Sequence, residues 1–227
     1  MADDAPTPAP VVEITIEDAG EDAGEDAAAG GPAGAQGGLL GLAAADIERV
    51  VALALARAGI ARAVELSVVV TSDAALRQLN RDYRGRDEAT DVLSFPLLDA
   101  PLAQAPADQL WGGDTLEDER DDAGGDAIAS DQHTSDEDEE EDGADEPYVF
   151  VAPPTDALHL GDIVIARGVA RQQAEAAGHA ASWELAYLVA HGVLHLVGYD
   201  DHTDAGYTAM VAHQEAVLRE AGISRAP

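Results

Sequence analysis

Trp183 to Val197 is apolar on nearly every helical face, yet it carries two histidines four residues apart, His191 and His195. Four residues is close to one helical turn, so both imidazoles leave the same side of a helix. A helix that is apolar all round is a buried helix. Buried imidazoles require partners. An arbitrary pair of histidines at this spacing is more often a satisfied core or surface pair than a pair of ligands, and the residues beyond the helix decide between the two. Gly198 ends the helix, as glycine does just past a helix terminus, and Asp200, Asp201 and His202 follow at once. A helix offering two ligands, with a turn swinging a third against the same face, builds a three-ligand metal site with a position left open. One shared cation would satisfy both rings.

Length and charge frame the rest. A chain of 227 residues can hold one large domain or two small ones. Its net charge of −33 is unevenly placed. Residues 1–30 carry nine acids and no base; residues 108–146 carry eighteen acids and Arg120. Only −7 remains on the rest, so overall acidity does not exclude a nucleic-acid substrate. There is no cysteine, hence no disulfide framework and no thiolate metal site. The N-terminus lacks the positive and apolar regions of a signal peptide. The run Leu185 to Tyr199 falls short of the ~18 residues needed to span a bilayer. A cytoplasmic protein with no membrane partner is expected.

Taken in order, Val11 to Glu17 alternates as a strand. Helical spacing runs from Ala44 to Ala58 and stops at Gly59. Val64 to Val70 is a buried strand, Ser72 caps a helix from Asp73 to about Asn80, and Thr90 to Phe95 is a strand. Before that strand lies the densest positive cluster, Arg77, Arg81, Arg84 and Arg86. Strand Leu160 to Ala166, helix Arg167 to Ala177, the histidine helix capped by Ser182, and an amphipathic helix Asp204 to Ala221 complete the chain. In the last helix Tyr207, Met210, Val211, Ala216, Val217 and Leu218 face inward, with His213 at or near the surface. His159 and His179 read as structural. The composition predicts one α+β domain over residues 1–227, with about four strands in one small sheet packed by helices. The metal site lies on a buried helix and the turn after it. Acidic, Gly/Ala-rich segments at about 18–38 and 97–157 cannot bury enough apolar area to fold alone and interrupt the domain as inserts. Deleting residues 100–155 is expected to leave fold and site intact. Tyr148 to Val151 is the one stretch within that span with strand character.

The segment His-Gly-Val-Leu-His-Leu-Val-Gly-Tyr-Asp at 191–200 resembles the motif of the YbeY family, metal-dependent endoribonucleases of ribosomal RNA maturation. Two further stretches resemble its other motifs: Leu79-Asn-Arg-Asp-Tyr-Arg-Gly-Arg-Asp-Glu-Ala-Thr-Asp-Val-Leu-Ser-Phe-Pro96 and Leu160-Gly-Asp-Ile-Val-Ile165. The likeness covers roughly residues 44–96 and 158–222. It implies a zinc-dependent endoribonuclease, one ion per chain, that cuts single-stranded RNA, matures the 3′ end of 16S rRNA and serves ribosome quality control. RNA, the small ribosomal subunit and its assembly factors are the implied partners; DNA is not. The family's important arginine falls on Arg84, and a guanidinium beside a metal can hold a phosphate through paired hydrogen bonds.

One departure concerns the third ligand. The family places a histidine directly after Gly-Tyr-Asp, where this chain has Asp201, with His202 one residue later. The family's downstream acid, methionine and glycine keep their spacing from Asp201, at Asp204, Met210 and Gly222. That favours Asp201, whose carboxylate is a competent zinc ligand, with His202 as the alternative. His191, His195 and Arg84 are thus the candidate catalytic residues, and His191, His195 and Asp201 the candidate ligands. Two rivals are a zinc metallopeptidase, which shares His-x-x-x-His but needs a glutamate where Gly192 stands, and a non-catalytic ribosome-associated protein with a structural metal.

Overall fold

Period-two alternation in the strands assigns their residues to two faces of one sheet. The computed structural model describes residues 12–18, 39–112 and 157–226. Four strands, β1 (Val12–Asp18), β2 (Val64–Thr71), β3 (Val92–Pro96) and β4 (Leu158–Ala166), lie in the order β1-β2-β4-β3. The pairings are not alike: β1, β2 and β4 run parallel, and β3 is antiparallel to β4. On β4, Ile163 and Ile165 enter the main core while Val164 points to the other side. On β2, Val64, Leu66, Val68 and Val70 share the main-core face.

Helices α1 (Ala44–Arg57), α4 (Ala181–Leu196) and α5 (Asp204–Ala221) cover the main-core face. On the opposite face Leu76 of α2 (Asp73–Arg84) packs with Leu93 and Val164. Helix α3 (Arg167–Ala177) leads from β4 into α4 and ends at Gly178 in the left-handed conformation that glycine tolerates. Helix α4 is central. Leu185, Val189, Val193, Leu194 and Leu196 are fully buried, and only one side of its C-terminal half is open enough to leave His191 and His195 partly accessible. An α+β fold with one small four-stranded sheet is what the sequence predicts. No helix among the described residues is long and apolar enough to cross a membrane.

Four expectations require correction. Helix α2 runs to Arg84 and is closed by Gly85 at φ 68°, so Arg81 and Arg84 stand on its last turn, not in a loop. The long, soluble side chains there are good helix formers, and no breaker precedes Gly85. Ser182 does not cap α4; Ala180 holds the N-cap position and makes no side-chain cap bond. Tyr207 is 60% exposed. It lies in the first turn of α5, beside the groove between α4 and α5, not over the core.

The fourth correction is the largest. Residues 97–112, grouped by composition with the acidic insert, pack against the end of α4. Leu97 N–H donates to Leu160 O at 3.0 Å, and Leu102 and Ala103 N–H both donate to Val197 O at 2.9 Å. A 3-10 turn (Ala107–Gln109) follows, and Leu110 bridges Tyr199. Ala103 is buried, and Leu98, Leu102 and Leu110 pack on the main core. Composition misleads because the apolar residues here have neither helical nor strand period, while main-chain hydrogen bonds to α4 leave no trace in the sequence. The other parts of the expected inserts, residues 19–38 and 113–156, with His133 and Tyr148 to Val151, lie outside the described residues.

Candidate metal centre

The helix delivers both histidines to one point. His191 Nε2 and His195 Nε2 are 2.9 Å apart. Asp201 reaches the same point from the turn, with carboxylate oxygens 4.0 Å from each Nε2. Four ligands about 2.0–2.1 Å from a tetrahedral ion stand roughly 3.3 Å from one another, and the Nε2–Nε2 distance and the distance from each Nε2 to its nearer Asp201 oxygen bracket that spacing. His191, His195 and Asp201 therefore form a group that could hold a metal.

The protonation states suit a ligand pair. Burial first, then the neighbouring His195, pushes His191 down to about 4. Burial likewise pushes His195 below the ordinary imidazole value. Both rings are neutral near pH 7, the form that offers a lone pair. His195 Nδ1 lies 3.0 Å from Tyr199 O. A carbonyl only accepts, so Nδ1 carries the proton and Nε2 is left as the ligating atom. Gln214, 1% exposed on α5, lines the groove beside His191.

His202 goes elsewhere. Its ring is 85% exposed and pairs with Asp200, which also accepts from the His202 backbone N–H at 3.2 Å. The Asp200 hydrogen bond raises the His202 pKa. Burial alone would raise the Asp200 carboxyl, but the bonds from His202 hold it below its usual value. Asp200 and His202 thus brace the turn while Asp201 faces the histidines.

The turn sits where it does because the 97–112 strap holds it. Gly198 takes φ 118°, and a Cβ there would lie 2.5 Å from Pro101 Cβ, so the strap and the turn can touch only through glycine. Asp200 N–H donates to Gln109 O at 3.0 Å, Trp111 N–H to Gly198 O at 2.9 Å, and Thr203 Oγ1 to Asp108 O. Trp111 Nε1 donates to His195 O at 3.3 Å.

These elements wall a cleft of about 380 Å³. Arg84 enters from the end of α2, and β3 contributes Val92, Ser94 and Pro96. Among the described residues Arg84 has no ion-pair partner, unlike Arg77, which is tied to Asp87 at 2.8 Å. Asp91 is occupied: it accepts from Val92 N–H at 2.8 Å and from Gln173 Nε2 at 2.9 Å. Ser94 Oγ is buried with no partner among the described residues. Three carboxylates, Asp91, Asp200 and Asp201, thus meet one guanidinium, a donor set suited to a divalent cation and hostile to a polyanion without one.

Gly192 faces β4. A Cβ at that position would lie 2.7 Å from Ile163 Cγ2. The glutamate of a His-Glu-x-x-His peptidase could not occupy this face, which packs against the sheet and not toward the cleft. Nothing in the sequence singles out Trp111; an isolated aromatic in a Gly- and acid-rich stretch carries no periodic signal. The remaining described histidines are structural in surroundings: His179 pairs with Glu184 at 3.2 Å, His159 Nδ1 lies 3.3 Å from Glu65 O, and His213 meets Tyr199 Oη at 3.2 Å.

The family model described as Endoribonuclease YbeY matches residues 42–222. An endoribonuclease YbeY of Moorella thermoacetica is 37% identical over 179 residues, 79% of this chain and 86% of the relative. That of Dehalococcoides mccartyi strain BAV1 is 34% identical over 155 residues, 68% of this chain and 72% of the relative. That of Bacillus licheniformis is 33% identical over 183 residues, 80% and 87%. The match spans every element from the start of α1 to the end of α5, including Arg84 and the histidine helix, and on that extent the chain belongs to the endoribonuclease YbeY family.

Proposed function

We propose that this chain is an endoribonuclease of ribosomal RNA processing that works with one zinc ion held by His191, His195 and Asp201. One observation carries the reading: three ligating atoms converge at the end of a buried helix, inside a cleft that also receives Arg84. A divalent cation in such a place supplies Lewis acidity toward a phosphoryl oxygen and toward water.

The protein side chains supply the rest. The neutral imidazoles and the Asp201 carboxylate offer the metal one negative charge, leaving net positive charge for the phosphate. Arg84 binds the phosphodiester through its forked donors and stabilises charge as it develops in the transition state. Asp200 and His202 hold the turn so that Asp201 keeps its aim. Three protein ligands in an open cleft suit a catalytic site, because structural zinc is closed by four. That favours an enzyme over a binding protein with a structural ion. The Gly192 packing opposes a peptidase.

The finer reading is a single-strand-specific nuclease acting near the 3′ end of 16S rRNA, in the cytoplasm, with the small ribosomal subunit and its assembly factors as partners and DNA left uncut. Cleavage of single-stranded and duplex fragments of that rRNA by the purified protein, with matched DNA, before and after chelation, tests it. Cleavage confined to single-stranded RNA, lost on chelation and restored by zinc, is expected. RNA left intact under all conditions would overturn the reading.

A further inference from the structure

The cleft contains one aromatic side chain that the metal chemistry does not use. Trp111 is half-buried and lines the cleft together with Arg84, His191 and His195. Its position is fixed at three points: the main-chain N–H on Gly198 O at 2.9 Å, the indole N–H on His195 O at 3.3 Å, and the bridge from Leu110 to Tyr199. With its one polar atom engaged by the helix that carries both histidines, the indole has only ring carbon to offer the cleft. The other tryptophan, Trp183, is in different surroundings: it stacks on Tyr187 at 5.1 Å and lies under Arg225 at 4.9 Å.

A single-stranded nucleic acid held by its phosphate at Arg84 must place the adjoining bases somewhere. Unpaired bases are recognised chiefly by stacking on aromatic faces, which is indifferent to base identity. A ring locked beforehand loses little conformational freedom when it stacks. We propose that Trp111 is the stacking platform for the nucleobase beside the scissile phosphate. The proposal rests on the endoribonuclease reading above and adds a subsite to it. The strap then serves twice, bracing the metal-bearing turn and presenting the ring that orders the substrate.

Two variants separate stacking from bracing. Trp111→Phe and Trp111→Leu both lose the indole N–H bond to His195 O and both retain an apolar side chain; only phenylalanine can stack. Zinc content and thermal stability of both are expected to match each other. On a short single-stranded oligoribonucleotide, Trp111→Leu should raise KM about tenfold over Trp111→Phe, as for the loss of one base stack, with kcat within about twofold. Placing an abasic nucleotide in turn at each position around the cut should weaken wild-type binding most at one position, and Trp111→Leu should be insensitive there. A direct readout needs no cleavage. In Trp183→Phe protein the fluorescence of Trp111 should fall on binding a 2′-O-methyl oligoribonucleotide and not on binding the same oligomer with the abasic site. Equal KM for the two Trp111 variants, an abasic penalty unchanged in Trp111→Leu, or fluorescence indifferent to the oligomer would overturn the subsite alone. Wild-type protein that neither binds nor cuts RNA would overturn the endoribonuclease reading and the subsite with it.

Discussion

Two segments wall the same cleft by different means. The stretch from His191 to His202 is a buried helix, a glycine stop and a braced turn; its local bonds, from Val197 N–H to Val193 O at 3.1 Å and from Tyr199 N–H to Leu194 O at 2.9 Å, lie within five residues. The strap from Leu97 to Gly112 has one 3-10 turn and is held by bonds to residues far along the chain, on β4 for Leu97 and on the end of α4 and its turn for the rest. The first would aim its histidines correctly in any context that buried the helix. The second has a shape only because α4 ends where it does. Both histidines sit on the self-ordered helix, while the turn that carries Asp201 is held from within by Asp200 and His202 and from outside by the strap. A site on a rigid element, supported by a second layer, is what precise geometry requires.

The largest effects should fall on the helix. His191→Ala or His195→Ala is expected to lower zinc affinity by at least on the order of a hundredfold, beyond what losing an outer support typically costs, and to abolish RNA cleavage. Metal analysis of the purified variants checks this; full zinc content in both would place the site elsewhere. Arg84→Ala should leave zinc bound and cut cleavage by roughly a hundredfold, as for removal of one transition-state donor. Arg84→Lys should restore it only in part, because a point charge lacks the fork.

The strap offers the sharper contrast. Deleting residues 116–153, with a short Gly/Ser join, is expected to preserve fold and zinc, since closing a shorter loop changes entropy slowly with length. Extending the deletion to residues 100–153 should weaken zinc binding about tenfold, the scale of a lost outer support, while far-UV circular dichroism still reports the helices. Equal zinc affinity in the two deletions would make the strap a mere cover.

A smaller effect concerns acid. In metal-free protein the folded pKa of His191 is about 4 against an ordinary value of 6.5, so the unfolded chain binds the proton more readily. Stability should therefore fall as pH drops from 6.5 toward 4, by about 3 kcal/mol from this residue. Urea unfolding of chelated wild type and His191→Leu across that range isolates the contribution; the variant should lack it, and parallel slopes would show that the ring is not buried as described.

The two segments also differ in how far sequence exposes them. Periodicity in Trp183 to Val197 and the glycine at 198 put His191, His195 and the acidic turn in one place, because a helix fixes neighbours by spacing alone. The order of strands and helices is legible for the same reason. Arg84 is legible as a charge near the site but not as a helical residue, since the helix that carries it is mostly polar, with only Leu76 and Asn80 buried. Trp111 and Ala103 are invisible, because their partners are main-chain atoms of α4 and its turn. The sequence shows Gly192 only as the absence of a peptidase glutamate, and the structure supplies the physical cause in Ile163.

The central claim is that Asp201, and not His202, completes the site with His191 and His195. Anomalous diffraction from crystals of the zinc-loaded protein, measured on both sides of the zinc edge, tests it most directly. One zinc peak bonded to His191 Nε2, His195 Nε2 and an Asp201 oxygen, with His202 still on Asp200, is the result expected. A peak bonded to His202 with Asp201 turned away, or no peak between the two histidines, would contradict it.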